Sequence, residues 1–126
     1  MTPIWLLINR VHDEIQEVIT LGTITYNKLV RDKIPQIIEE AGKIAVVETL
    51  DSEAYKRLLD AKLGEELQEY LSDDNVEELA DLVEVVYAIL KYKDIDIDTF
   101  EGIRIKKATE RGAFERRRLL KEVIER

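Results

Sequence analysis

Acidic side chains recur at helical spacing in the middle of the chain, and they are the residues best suited to chemistry. One pair is Glu66 and Glu69, and the other is Glu78 and Asp81. Because residues three apart share one face of an α-helix, each pair forms a small patch of carboxylates. The turn-forming run 72–75 lies midway between the pairs and predicts two antiparallel helices. The four carboxylates are therefore expected to converge between these helices.

The position of Glu78 within its predicted helix favours a buried site. Glu78 lies in the apolar arc that contains Leu82 and Val85, and Asp81 lies at its edge. An ionised carboxylate without a partner is costly to bury, so basic residues or a hard cation should accompany it. Oxygen ligands favour Mg²⁺ or Mn²⁺. A di-iron site uses Glu-x-x-His motifs and is disfavoured, while a solvated acidic surface is the simpler alternative.

Basic residues form a second group that bears on function. Two of them, Lys107 and Arg111, lie on the apolar side of a predicted helix, where they either reach a cleft or extend over apolar surface. Lys62, one turn before Glu66, forms a simple ion pair or points at the same site. Carboxylates for a cation, together with basic side chains, suit a polyphosphate substrate. The basic candidates are Lys28, Arg31, Lys33, Lys107 and Arg111.

The composition excludes several classes of function. With 27 acidic residues against 19 Lys and Arg, the net charge is −8, which disfavours binding to nucleic acid. The chain has no cysteine and one histidine, so disulfides, thiolate metal sites and a Ser-His-Asp triad are not expected. Its apolar runs are too short for a membrane helix or a signal peptide. We therefore expect a cytoplasmic protein with no membrane partner.

The hydrophobic periodicity predicts an all-α fold, a helical bundle with short antiparallel connections. At most one short extended segment is expected, near 44–50. Asp32, Asp51 or Ser52, and Asp98 or Thr99 are the expected helix N-caps. The chain is predicted to form a single domain, 1–126. Its predicted helices span residues 2–21, 32–40, 52–71, 76–92 and 99–111, and the composition of 114–126 is also helical.

Three motifs resemble one known family. Glu65-Glu66-x-x-Glu69 followed by Glu78-x-x-Asp81 is similar to the EExxE…ExxD signature of the all-α nucleoside triphosphate pyrophosphohydrolases, which include MazG and phosphoribosyl-ATP pyrophosphohydrolase. The run 26–35, Tyr-Asn-Lys-Leu-Val-Arg-Asp-Lys-Ile-Pro, resembles the opening of a MazG-like subgroup. Lys107-x-x-x-Arg111-Gly112-x-Phe114 resembles its C-terminal motif. The likeness covers residues 24–118, taken as the family-like core.

The resemblance implies a specific activity. It implies Mg²⁺ held by Glu66, Glu69, Glu78 and Asp81, and hydrolysis of a nucleotide between the α- and β-phosphates. It implies that Glu65 orients water or supports the ligands, that the five basic candidates contact phosphate, and that the chain forms a homodimer or homotetramer. We expect a house-cleaning nucleoside triphosphate pyrophosphohydrolase. The alternatives are phosphoribosyl-ATP hydrolysis in histidine biosynthesis and a non-enzymatic helical interaction module.

Two segments depart from the family pattern. Residues 1–23 precede the usual start of the subgroup and are expected to form an N-terminal helical extension without a catalytic group. An added packing helix, an oligomerisation element and an upstream start codon are the interpretations left open. The run Arg116, Arg117 and Arg118 is more basic than the family pattern and has no assigned role.

Overall fold

The computed structural model describes residues 19–20 and 22–126, which are mostly helical. Strands β1 (Ile19–Thr20) and β2 (Thr23–Ile24) pair antiparallel, with Ile19 opposite Ile24 and Thr20 opposite Thr23. The predicted all-α fold class is confirmed. The four helices of the described chain are α1 (Ile34–Glu40), α2 (Ser52–Asp73), α3 (Val76–Tyr92) and α4 (Ile97–Arg111).

The predicted first helix is wrong at its C-terminal end. Ile19 and Thr20 lie in β1, and the rest of that prediction, residues 2–18 and 21, lies outside the described residues. Gly22 has a φ of +85°, which reverses the chain between the two strands. The β-branched residues that flank this turn favour an extended backbone, which explains why Ile19 and Thr20 form a strand and not the predicted helical end.

The extended segment expected near 44–50 does not form a strand. The chain there is irregular, and Ile44 and Val46 are exposed. The backbone N–H of Ala45 donates to the Glu39 side chain at 3.1 Å instead of to another strand. A strand needs a partner edge for its backbone groups, and none lies beside this segment in the described part of the chain.

The chain divides into two compact units, residues 1–85 and 86–126, with the boundary inside α3. Leu59 and Val85 are the buried apolar residues described in the first unit, and Leu90 is buried in the second. The single domain, 1–126, stays a prediction. None of the described helices carries an apolar stretch long enough to cross a bilayer.

Aspartate side chains cap α2 and α4. Asp51 Oδ1 accepts a hydrogen bond of 2.8 Å from Ala54 N, as predicted for α2. Helix α4 is capped by Asp96 rather than by Asp98 or Thr99, because Asp96 Oδ1 lies 2.7 Å from the Thr99 backbone nitrogen. Asp32 does not cap α1, which has Lys33 at the N-cap without a side-chain hydrogen bond and a proline in its first turn. Asp96, Asp98 and Thr99 lie close together in the sequence and are all residue types that cap helices, which explains the misplaced cap of α4.

The segment after α4 forms neither helix nor strand, although its composition is helical. A turn closes with a hydrogen bond from Arg117 N to Phe114 O, and Arg117 has a φ of +52°. The apolar side chains of this segment are exposed, and a short helix without apolar burial is marginal in water. They are Phe114, Leu119, Leu120, Val123 and Ile124.

The cap of α4 is expected to make helix stability depend on pH. Hydrogen bonds from the Thr99 backbone N–H and side chain hold the pKa of the Asp96 carboxyl below its usual range. Its stabilisation is therefore full above the ordinary carboxyl pKa and is lost as the pH falls through the lowered value. Asp96→Ala should reduce helicity at neutral pH, measured by far-UV circular dichroism, and the difference should vanish in strong acid. Asp98→Ala is the matched control, and an equal loss in that variant would contradict the cap.

Candidate metal centre

A tight connection between α2 and α3 positions the acidic residues. Asp74, just after α2, adopts a left-handed conformation with a φ of +49°, and its N–H donates to Tyr70 O at 2.8 Å. Asn75 Oδ1 then accepts from Glu78 N at 3.1 Å, so that Asn75 caps α3. Asp and Asn adopt left-handed backbone more readily than most residues. Two residues therefore suffice to reverse the chain and to hold Glu78 in the first turn of α3.

Three carboxylates of this hairpin are among the most buried side chains of the described residues. Glu66 is 8% exposed, Glu69 is 7% exposed and Glu78 is 3% exposed. The burial of Glu78 agrees with its position in the apolar arc. Ionised carboxylates avoid such burial unless other groups compensate their charge. Their burial therefore argues against the simpler interpretation of a solvated acidic surface.

Carboxylate oxygens from the two helices approach one another in two overlapping groups. Oxygens of Glu66, Glu78 and Asp81 lie within 4.8 Å of one another, and so do those of Glu69, Asp73 and Glu78. Residues earlier in α2 thus meet residues later in α3, which is the antiparallel arrangement. The four predicted residues are divided between the two groups, and Glu78 belongs to both.

The sequence interpretation missed Asp73. It is the last residue of α2, is exposed and lies one turn after Glu69. The signal was available as an i,i+4 relation, but the run Ser72-Asp73-Asp74-Asn75 was assigned to a turn. Because α2 extends through Asp73, the side chain stays on the helical face that carries Glu69.

Basic residues compensate part of this negative charge. Arg31 Nη2 donates to Asp81 Oδ1 at 2.7 Å, and Lys28 Nζ lies 3.7 Å from Glu65 Oε1. Lys62 Nζ lies 3.5 Å from Glu65 Oε2 and 3.4 Å from Glu66 Oε1. The loop before α1 therefore supplies Lys28 and Arg31 to the carboxylates. Helix α2 supplies Lys62, which lies one turn before Glu66.

Glu65 has a different environment from the buried trio. Both of its oxygens face lysine ammonium groups, and Oε2 is inaccessible to solvent and makes no hydrogen bond. Glu65 belongs to neither carboxylate group found among the described residues. Its geometry suits a residue that holds Lys28 and Lys62 in place.

Other predicted basic residues are exposed. Lys33 is exposed at the N-cap of α1, and Lys107 and Arg111 are exposed on α4. Lys107 and Arg111 belong to the second unit, and their contact with phosphate stays a prediction. Arg116, Arg117 and Arg118 are also exposed.

The donor set fits a hard divalent cation. Six carboxylates lie at this centre and three basic groups pair with some of them, so that acids outnumber bases among the described residues there. The nearby oxygens belong to carboxylates, which Mg²⁺ and Mn²⁺ prefer to sulfur ligands. A divalent cation at these oxygens would compensate the excess charge.

Comparisons with known proteins assign no activity to this centre. No protein-family model matches the chain, and no solved structure matches it. A curated protein of Mycolicibacterium smegmatis, named only as an uncharacterized protein, is 45% identical over 47 residues. This stretch is 37% of the chain and 48% of that relative, so the chain spans about half the length of the relative it matches.

Asp73 is expected to destabilise the protein in the absence of divalent cations. Its charge lies at the C-terminus of α2, where the helix dipole is unfavourable, and close to Glu69 and Glu78. Asp73→Asn should raise the free energy of unfolding by about 0.5–1.5 kcal/mol, measured by urea denaturation in EDTA. Glu77→Gln makes the same charge change at an exposed position in the first turn of α3 and should give no gain. An equal gain in both variants would point to net charge alone.

Proposed function

We propose that this protein is a Mg²⁺-dependent nucleoside triphosphate pyrophosphohydrolase of the house-cleaning type. The observation that carries the proposal is the convergence of buried carboxylates from α2 and α3. Glu66, Glu69 and Glu78 are nearly inaccessible, and oxygens within 4.8 Å of one another join Glu66 and Glu78 to Asp81, and Glu69 and Glu78 to Asp73. The resemblance of these positions to the EExxE…ExxD signature adds the reaction type.

The residues have distinct roles in this proposal. Glu66, Glu69, Glu78 and Asp81 hold Mg²⁺ or Mn²⁺, and Asp73 is an additional ligand candidate. The cation, when bound, neutralises phosphate oxygens and lowers the pKa of a water molecule that attacks phosphorus. Lys28 and Arg31 lie close enough to the carboxylates to reach a phosphate chain. Glu65 acts as a support for Lys28 and Lys62.

The products distinguish this function from its alternatives. A panel of nucleoside triphosphates and phosphoribosyl-ATP is incubated with protein and Mg²⁺ or Mn²⁺, and the products are separated by ion-exchange chromatography. We expect a nucleoside monophosphate and pyrophosphate, with no reaction in EDTA. Orthophosphate as the first product would contradict cleavage at the α–β bond. Turnover of phosphoribosyl-ATP alone would support the histidine-biosynthesis alternative, and no turnover of any nucleotide would favour an interaction module.

Glu78→Gln is expected to remove both activity and the stabilisation by Mg²⁺ while leaving the protein folded. The amide keeps the shape of the side chain but loses the charge at the position shared by both carboxylate groups. The measurement is the shift in melting temperature on adding Mg²⁺, together with pyrophosphate release. The matched control is Glu77→Gln, one residue away and exposed, which should retain both. A full Mg²⁺ shift in Glu78→Gln would contradict its role as a ligand.

We also propose that the chain assembles as a homodimer or homotetramer. Apolar side chains on the outer faces of the hairpin are exposed, which is unusual for so many neighbouring residues of a monomer. They are Leu67 and Leu71 of α2, and Val76, Leu79 and Val83 of α3. Such a face would be covered in an assembly of identical chains.

Replacing this apolar face should dissociate the assembly. The double variant Leu67→Gln, Leu71→Gln removes two apolar groups without adding charge, and its mass by light scattering should be lower than that of wild type. Ile103→Gln is the control, because Ile103 is exposed on α4 and lies outside the hairpin. An unchanged mass in the double variant, with wild type oligomeric, would exclude this face as the interface.

A further inference from the structure

Arg31 and the proposed cation need the same carboxylate. Arg31 Nη2 donates to Asp81 Oδ1 at 2.7 Å, the shortest of the basic contacts at this centre that the described residues make. Asp81 also supplies an oxygen to the group formed with Glu66 and Glu78. A carboxylate oxygen that accepts a charge-assisted hydrogen bond is a weaker ligand, because the guanidinium withdraws the charge that a cation would use.

We propose that Arg31 competes with the divalent cation for Asp81. When a phosphate group binds, the guanidinium leaves Asp81 for the phosphate, and the cation can then bind Asp81. The proposal rests on the proposed function, since it needs both a cation and a phosphate at this centre. In the cation-free protein the guanidinium holds Asp81. When the cation takes Asp81, the guanidinium becomes available to an anion that carries two oxygens in a suitable geometry.

The exposure of Arg31 makes the exchange feasible. Its side chain is 56% exposed, so it can leave Asp81 for solvent or a ligand without moving a buried charge. A guanidinium forms two parallel hydrogen bonds to phosphate, which compensates for the lost ion pair. Arg31 is also anchored on a loop rather than inside a helix, because it precedes α1.

The two lysines are less suited to this exchange. Lys62 is 20% exposed and lies between Glu65 and Glu66, and Lys28 is 15% exposed and pairs with Glu65. Glu65 is outside both carboxylate groups of the described residues, so the contact of Lys28 with Glu65 holds no proposed ligand. Arg31 is the most exposed of these three basic residues, and its contact is with a proposed ligand.

Cation binding and phosphate binding should then be coupled. A phosphate that accepts Arg31 removes the competitor of the cation, and a cation that takes Asp81 frees the donor for the phosphate. Because the coupling of two binding sites is reciprocal, each ligand should raise the affinity for the other by the same factor.

Isothermal titration calorimetry with Mg²⁺ alone tests the competition. Arg31→Gln should bind Mg²⁺ about two- to fivefold more tightly than wild type, which is the range expected for loss of an exposed ion pair. Arg31→Lys keeps the charge and should lie closer to wild type. Lys56→Gln is the matched control, because Lys56 pairs with Asp60 on α2 away from the carboxylate groups, and its Mg²⁺ affinity should not change.

Inorganic phosphate tests the coupling. Repeating the titrations with phosphate in the buffer should tighten Mg²⁺ binding to wild type and to Lys56→Gln, but much less to Arg31→Gln. Unchanged or weaker Mg²⁺ binding by Arg31→Gln in the absence of phosphate would overturn the proposal, as would an equal effect of phosphate on wild type and Arg31→Gln. If Glu78→Gln weakens Mg²⁺ binding while Arg31→Gln does not tighten it, only the competition fails. If wild type and Glu78→Gln both fail to bind Mg²⁺, the proposed function fails as well.

Discussion

Repulsion among buried carboxylates is the constraint on which the rest of the hairpin depends. Two unit charges 4.8 Å apart repel by about 3 kcal/mol at an effective dielectric constant of about 20. Glu78 belongs to both carboxylate groups, so its charge would be repelled by the carboxylates of each. A protein of this size has a small net stability, so this repulsion must be compensated locally. Arg31, Lys62 and Lys28 supply part of the compensation, and the proposed cation would supply more.

Different elements of the structure supply the acidic and the basic residues of this centre. Helices α2 and α3 provide rigid faces for the acids, and the two-residue turn at Asp74 and Asn75 sets their register. The basic residues come from the loop before α1 and from one turn earlier in α2. This arrangement suits the proposed centre, in which an anionic ligand would replace the ion pair of Arg31 with Asp81, because the exposed guanidinium is the group that would move.

The chain contains much apolar surface that its own described residues do not cover. Leu59 and Val85 are buried in the first unit and Leu90 in the second, whereas the apolar groups on the outside of the hairpin and after α4 are exposed. Helices of this length gain most of their stability from burial of an apolar face. The proposed assembly would cover the exposed apolar groups of the hairpin that carries the acids.

The sequence alone determined the helical class, the hairpin and the acidic quartet, because all three follow from local periodicity and turn chemistry. Glu66, Glu69, Glu78 and Asp81 could be placed by their spacing about a single short turn, and Glu78 by its position in an apolar arc. Tertiary structure decided the rest. The pairing of Arg31 with Asp81 joins residues that are distant in the chain, and the participation of Asp73 depends on where α2 ends. Hydrogen-bond geometry placed the cap of α4 at Asp96 and not at the predicted Asp98 or Thr99. The segment 44–50 did not become a strand, since no partner edge met it, and strand formation depends on a neighbour that local sequence does not specify.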